Sequence, residues 1–198
     1  HDFVGGVCTT CGEKDACKHT DSLIWEKSAE GTYSLVCRNC NETLLPAQSE
    51  LPTVYLNNTG SDANLGTETA PVLTLEEAVR RLTETGGSVF LQNRYTITKS
   101  IVLPEWSGKI TFCSTTDAKG NANNGFYFGF TSTIDKYNRF VDDNVCLSLG
   151  GDAEFNNIVF KGNSPYKSED SKGKDTVLGI AANWHNVDFT YIRFHDRA

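Results

Sequence analysis

The sequence predicts a mainly β chain, with short strands stacked in repeated units behind a single helix and a small cysteine- and histidine-rich module in front. Three observations predict it. The composition holds 11 Phe and 7 Tyr with no Met, a β-leaning balance. Downstream of Gly87 the apolar runs are short and separated by Asn, Asp, Gly and Ser. An apolar pattern also recurs, Phe155-x-x-Ile158-x-Phe160 returning as Phe189-x-x-Ile192-x-Phe194, the mark of units that stack and share a core.

A chain of 198 residues has room for one domain of ordinary size and a small appendage. The formal charge of −7 and pI near 5.1 exclude a general nucleic-acid partner, which needs a basic stripe against phosphates. No apolar run is long enough to span a membrane. Neither a leader segment nor an initiator Met is visible, so the chain is expected to start inside a longer precursor, secreted or on a cell surface.

Five of the seven cysteines precede residue 41. An odd, clustered set points to metal ligation more than to a disulfide framework. Cys8-x2-Cys11 and Cys37-x2-Cys40 can each aim two thiolates at one tetrahedral Zn²⁺, which taken alone makes a four-cysteine ribbon. A second arrangement uses Cys17-x-His19 with Cys37 and Cys40 as a Cys3His site around a hairpin core of Trp25, Tyr33 and Leu35. It recurs in part upstream, with His1, Cys8 and Cys11 as a unit cut by the start of the chain. A Cys8–Cys11 disulfide is the remaining alternative.

The run His1-x-Phe3-x-x-Gly6-x-Cys8-x-x-Cys11-Gly12 resembles small cysteine-histidine modules in large secreted proteins of Gram-positive gut bacteria. What the resemblance implies is a structural zinc in residues 1–45, with every coordination position taken and none left open for water. Residues 46–52, at the end of the Pro- and Glu-bearing stretch from Asn41, read as a linker.

In the stretch 53–198, Thr74-Leu-Glu-Glu77 forms a capping box in which Thr74 and Glu77 satisfy each other's backbone N–H groups. It opens a helix over about 74–85. Leu75, Ala78, Val79 and Leu82 form one apolar stripe, with Arg80, Arg81 and Glu84 facing out, and Gly86-Gly87 ends it. A helix with one such stripe must lie on something, and strands follow.

The opening pattern Val54-Tyr55-Leu56, Gly60-Ser61-Asp62, Leu65-Gly66-Thr67, Ala70-Pro71, Thr74 to Ala78 and Gly86 to Leu91 is similar to that of right-handed parallel β-helix proteins of the pectate-lyase-like class. The resemblance implies an N-terminal strand, loop and capping helix, then the first coils of a β-helix. That family includes polysaccharide lyases, glycoside hydrolases, adhesins and passive surface proteins. Without a closing element after Arg193, the last coil is expected to be open, truncated or paired with another chain.

Matching the two recurrences places Lys161 beside His195 and Glu154 beside Asp188, about 4.8 Å apart on neighbouring strands. Lys161, Arg193 and His195 then form a basic cluster, with a carboxylate pair nearby. A lyase acting on an acidic polysaccharide needs a base for the proton α to a carboxylate and a cation to neutralise that carboxylate. Lys, Arg or His can be the first and Ca²⁺ on paired carboxylates the second. Ladders of alternating charge on a solvent face explain the same residues without catalysis. Trp106, Trp184, His185, Tyr127 and Tyr166 are candidate sugar platforms or packing residues, and Cys113 and Cys146 are expected as buried thiols.

The expected function is therefore a secreted or cell-surface β-helix that engages polysaccharide, as a lyase or hydrolase. The alternative is a non-catalytic adhesin or surface subunit that assembles end to end through its open coils.

Overall fold

The computed structural model describes residues 19, 22–128, 133–134, 140–141, 147–162, 183–185 and 188–190, with two short strands at 3–4 and 7–8. The fold is mainly β. Strands β1 (Phe3–Val4) and β2 (Val7–Cys8) pair antiparallel. The next three, β3 (Leu23–Lys27), β4 (Tyr33–Cys37) and β5 (Thr43–Gln48), form an antiparallel sheet with β4 in the middle.

The predicted hinge is thus partly a strand. Its Pro46 sits in β5, an edge strand whose pairing with β4 slips between Tyr33 and Val36, where a missing N–H is tolerated. The expected linker begins within this sheet.

After β6 (Thr53–Leu56) comes α1 (Leu75–Arg80), the one helix among the described residues. Its Leu75, Ala78 and Val79, with Leu82 just beyond, are fully buried as the stripe predicts. The capping box is only half made. Thr74 Oγ1 accepts from the Glu77 N–H at 3.2 Å, but the Thr74 N–H donates to Asp62 Oδ1 at 2.8 Å, and Asp62 also takes the Leu73 N–H and the Thr74 hydroxyl.

Glu77 turns instead to two arginines. Its carboxylate accepts from Arg80 and Arg81 at 2.7 Å. Arg81 does not face out: it is 0% exposed and donates to the carbonyls of Asn64 at 2.6 Å and Asp62 at 2.7 Å. Burial pushes its guanidinium below the ordinary value, and the Glu77 carboxylate works against that shift. Turns occupy 81–85. Gly86 (φ 67°) and Gly87 (φ 133°) then redirect the chain where a Cβ would lie 2.5 Å from the Lys109 carbonyl oxygen and 2.4 Å from that of Pro52, so only glycine fits.

The strands that follow are β7 (Gly87–Leu91), β8 (Tyr95–Ile97), β9 (Ile101–Val102), β10 (Lys109–Ser114), β11 (Asn124–Phe128), β12 (Thr133–Ile134), β13 (Phe140–Val141), β14 (Leu147–Ser148), β15 (Asp152–Asn156), β16 (Ile158–Gly162), β17 (Asn183–His185) and β18 (Asp188–Thr190). One parallel sheet runs β6-β7-β10-β15-β17, a second β8-β11-β16-β18 and a third β9-β14, while β12 and β13 pair antiparallel. The path from first sheet to second to third is made by β7, β8 and β9 and again by β10, β11 and β14, and β15–β16 and β17–β18 each pass from the first sheet to the second.

Two apolar runs each form two strands. The stretch from Tyr95 splits into β8 and β9. Phe155 to Phe160 splits at Asn157, whose φ of 56° is a left-handed turn that asparagine tolerates.

Alternation along each strand puts one column of side chains inward. Val54, Val89, Phe112 and Phe155 share a register and are all buried. Phe112 stacks on Phe155 with centroids 5.0 Å apart and planes at 16°, and Phe126 and Phe160 pack against the pair from the second sheet. The Tyr95 hydroxyl accepts from the Leu75 N–H at 3.1 Å, tying that sheet to α1. At the corner after β6 and β7, Asn57, Asn58, Gln92 and Asn93 bond amide to amide between strands.

The N-terminal sheet shares this core. Leu23, Trp25, Tyr33 and Leu35 are continuous with Val54, Leu75 and Val79. The Trp25 N–H donates to the Arg81 carbonyl, and Arg80 Nη2 donates to the Leu23 carbonyl, both at 2.9 Å. Arg38 pairs with Glu84 beyond the helix.

Candidate metal centre

Strand β4 delivers Cys37 at its last residue and the chain turns at once. The Asn41 N–H donates to the Cys37 carbonyl at 2.7 Å, the Cys37 N–H to the Glu42 carbonyl at 2.9 Å, and Asn41 takes a φ of 58°. This compact turn carries Cys40 back beside Cys37. His19, also in the left-handed region at φ 53°, reaches the same place from the segment before β3. The Arg38 N–H donates to the Ser22 carbonyl at 3.0 Å, which holds that segment against the turn.

The donor atoms of His19, Cys37 and Cys40 lie within 4.8 Å of one another. The spacing fits zinc. Zn–S of about 2.3 Å and Zn–N of about 2.05 Å at a tetrahedral angle put two ligand atoms about 3.6 Å apart, and Cys40 Sγ stands 3.6 Å from His19 Nδ1. Cys37 is buried and its sulfur meets Ser22 Oγ at 3.1 Å, where the hydroxyl can donate to a thiolate. Glu42 Oε2 lies 3.4 Å from His19 Nε2. These residues can hold a metal ion, with one tetrahedral position left for a fourth donor.

Of the predicted ligands, the structure brings His19, Cys37 and Cys40 together. Cys17, Cys11 and His1 lie outside the described residues. Cys8 is described as the last residue of β2, so both C-x2-C pairs start where a strand ends. Glu42 and Ser22 were not predicted. Nothing in a one-dimensional pattern marks a carboxylate two residues past a cysteine as facing a histidine from another segment.

The second predicted cluster is arranged differently from the expected stacking. Lys161 pairs with Thr190, Asp188 with Val159 and Glu154 with Asn183, so neither Lys161 over His195 nor Glu154 over Asp188 follows the register. The reason is that Phe155 belongs to β15 and Phe160 to β16. The true partners are Trp184 and Phe189, and matching Phe155 to Phe189 slips the alignment by one strand. Alternation has the same period in both sheets, so the pattern fits either way.

Arg193 and His195 lie outside the described residues. Glu154 is engaged by Lys109 Nζ, and that carboxylate raises the lysine's proton affinity. Trp184 pairs with Phe155 in register. Trp106 is buried with its Nε1–H donating to the Asp152 carbonyl at 3.0 Å. Arg94 covers the Tyr127 ring, 4.1 Å from its centroid, while His185 pairs with Asn156 in register.

Tyr166 and Cys146 are outside the described residues. Cys113 is not in the inward column. It is half-buried on the outward face between buried Phe112 and Ser114, and burial pushes its thiol up to about 11.

Among the described residues no helix is long and apolar enough to cross a membrane. Compared with protein-family models, curated proteins and solved structures, the chain matches none of them.

Proposed function

We propose that this chain forms a parallel β-helix, with α1 as its cap and a zinc-held module docked against it, acting at a cell surface or outside the cell by engaging polysaccharide. The observation that carries the architecture is the recurring path from first sheet to second to third, in register, with one buried aromatic column. The zinc is structural, because its ligands come from a module whose β3 and β4 join the core rather than from a cleft.

Glycan engagement is supported by the outward face of the first sheet. Thr53, Ser88, Thr111 and Glu154 stand in one row, and Tyr55 and Phe90 lie beside it with ring centroids 5.3 Å apart. A row of hydroxyls next to aromatic rings suits sugar hydroxyls and ring faces. Binding without cleavage is favoured by the Lys109–Glu154 pair, which occupies the carboxylate that a calcium-assisted lyase would need.

Two measurements test this. Metal analysis of the purified chain is expected to find zinc, and Cys40→Ser to lower its occupancy and the thermal midpoint together. A glycan array of pectin, alginate and glycosaminoglycan fragments is expected to show binding with no shortening of the chains. No binding to any of them sinks the glycan reading, and depolymerisation restores the lyase.

A further inference from the structure

We infer that Glu42 is a positioning residue of the metal centre: its carboxylate holds His19 by Nε2 so that Nδ1 is the nitrogen presented to the ion. The inference rests on the zinc reading above. The two ring nitrogens of His19 have different neighbours, Nδ1 facing Cys40 Sγ at 3.6 Å and Nε2 facing Glu42 Oε2 at 3.4 Å. A neutral imidazole carries one N–H, and a carboxylate can only accept. Glu42 therefore favours the Nε2–H tautomer, which leaves the Nδ1 lone pair for the metal, and it makes that nitrogen a stronger donor.

Glu42 is not itself the fourth ligand. Its oxygen lies by the ring nitrogen remote from the sulfur, and it stands outside the group of donor atoms within 4.8 Å of one another. The residue is kept in place by the metal turn itself, because the Cys37 N–H donates to the Glu42 carbonyl. One hydrogen bond thus closes the cysteine turn and brings the carboxylate to the histidine. The side chain is 63% exposed, so its removal leaves the core untouched.

The test compares the full chain with Glu42→Ala and Glu42→Asp, each checked for fold by circular dichroism. Zinc affinity is measured by competition with a chromogenic chelator. Glu42→Ala is expected to bind about 10-fold more weakly, and Glu42→Asp to recover part of the loss. Long-range proton–nitrogen NMR of the zinc-loaded wild type is expected to show His19 protonated at Nε2 and metal-bound at Nδ1. A structural role for Glu42 would not set that tautomer. Metal on Nε2, or unchanged affinity in Glu42→Ala, overturns the assignment while leaving the zinc site standing. A wild-type chain that takes up no zinc overturns the site and the assignment together.

Discussion

Replacing Glu77 with alanine is expected to lower the unfolding free energy by about 3–5 kcal/mol, the loss typical of breaking a buried ion pair by removing one partner. The size follows from what is left behind. Arg81 is fully buried, and without the Glu77 carboxylate its charge keeps hydrogen bonds only to the carbonyls of Asp62 and Asn64, with the Asp62 carboxylate acting on it without a direct bond. Those dipoles do not replace an ion. Because Arg80 uses the same carboxylate and also donates to the Leu23 carbonyl, the N-terminal sheet should loosen along with the helix.

Urea unfolding measures the loss, and hydrogen exchange of the β3 amides locates it. Changing Glu77 to leucine and Arg81 to methionine together should recover part of the stability, since the pair leaves no buried charge, although the Asp62 and Asn64 carbonyls lose their donor. A loss below about 1 kcal/mol in Glu77→Ala would mean that water reaches Arg81, contrary to its burial.

Phe155→Ala is expected to cost a similar amount, about 3–5 kcal/mol. Phe155 is fully buried, with the Phe112 ring stacked on it and the Phe160 ring edge-on, both at 5.0 Å. Losing it opens a cavity that neighbouring strands, held by ladder hydrogen bonds, cannot close. Phe90→Ala removes the same ring from the half-buried outward face of the same sheet and should cost clearly less. Equal losses at the two positions would contradict the inward column. Since β10 and β16 carry the rings against Phe155, while β6 lies at the far edge of the first sheet, three strands from β15, β10 and β16 should lose exchange protection before β6.

Much of this arrangement was legible in the residues. The stripe Leu75, Ala78, Val79 and Leu82 is buried as its spacing requires, and Ile110 and Phe112 are buried in step with the alternation of Lys109–Ser114. Cys37-x2-Cys40 with His19 also comes together. The misreadings have a common cause. Arg81 is charged and lies off the stripe, so local pattern places it in solvent, but the loop carrying Asp62 and Asn64 folds over it and supplies the acceptors. Asp62 likewise displaces Glu77 from the cap, a competition between residues far apart in sequence. Cys113 follows an inward residue, and alternation alone should have turned it outward.

By itself, the sequence determined that the chain is mainly β, that one short amphipathic helix precedes the repeating strands, and that a cysteine–histidine set able to hold a metal ion lies near the start. Those features depend on periodicity and on spacing between near neighbours, which a linear string records. Only the tertiary structure decided which strand lies beside which, that the N-terminal sheet shares the core beneath α1, and that Glu42 faces His19. Each of these is a contact between distant segments. A strand slipped by one place in the stack keeps its alternation and much of its burial, so the choice is made by the turns and side-chain bonds that join segments in space.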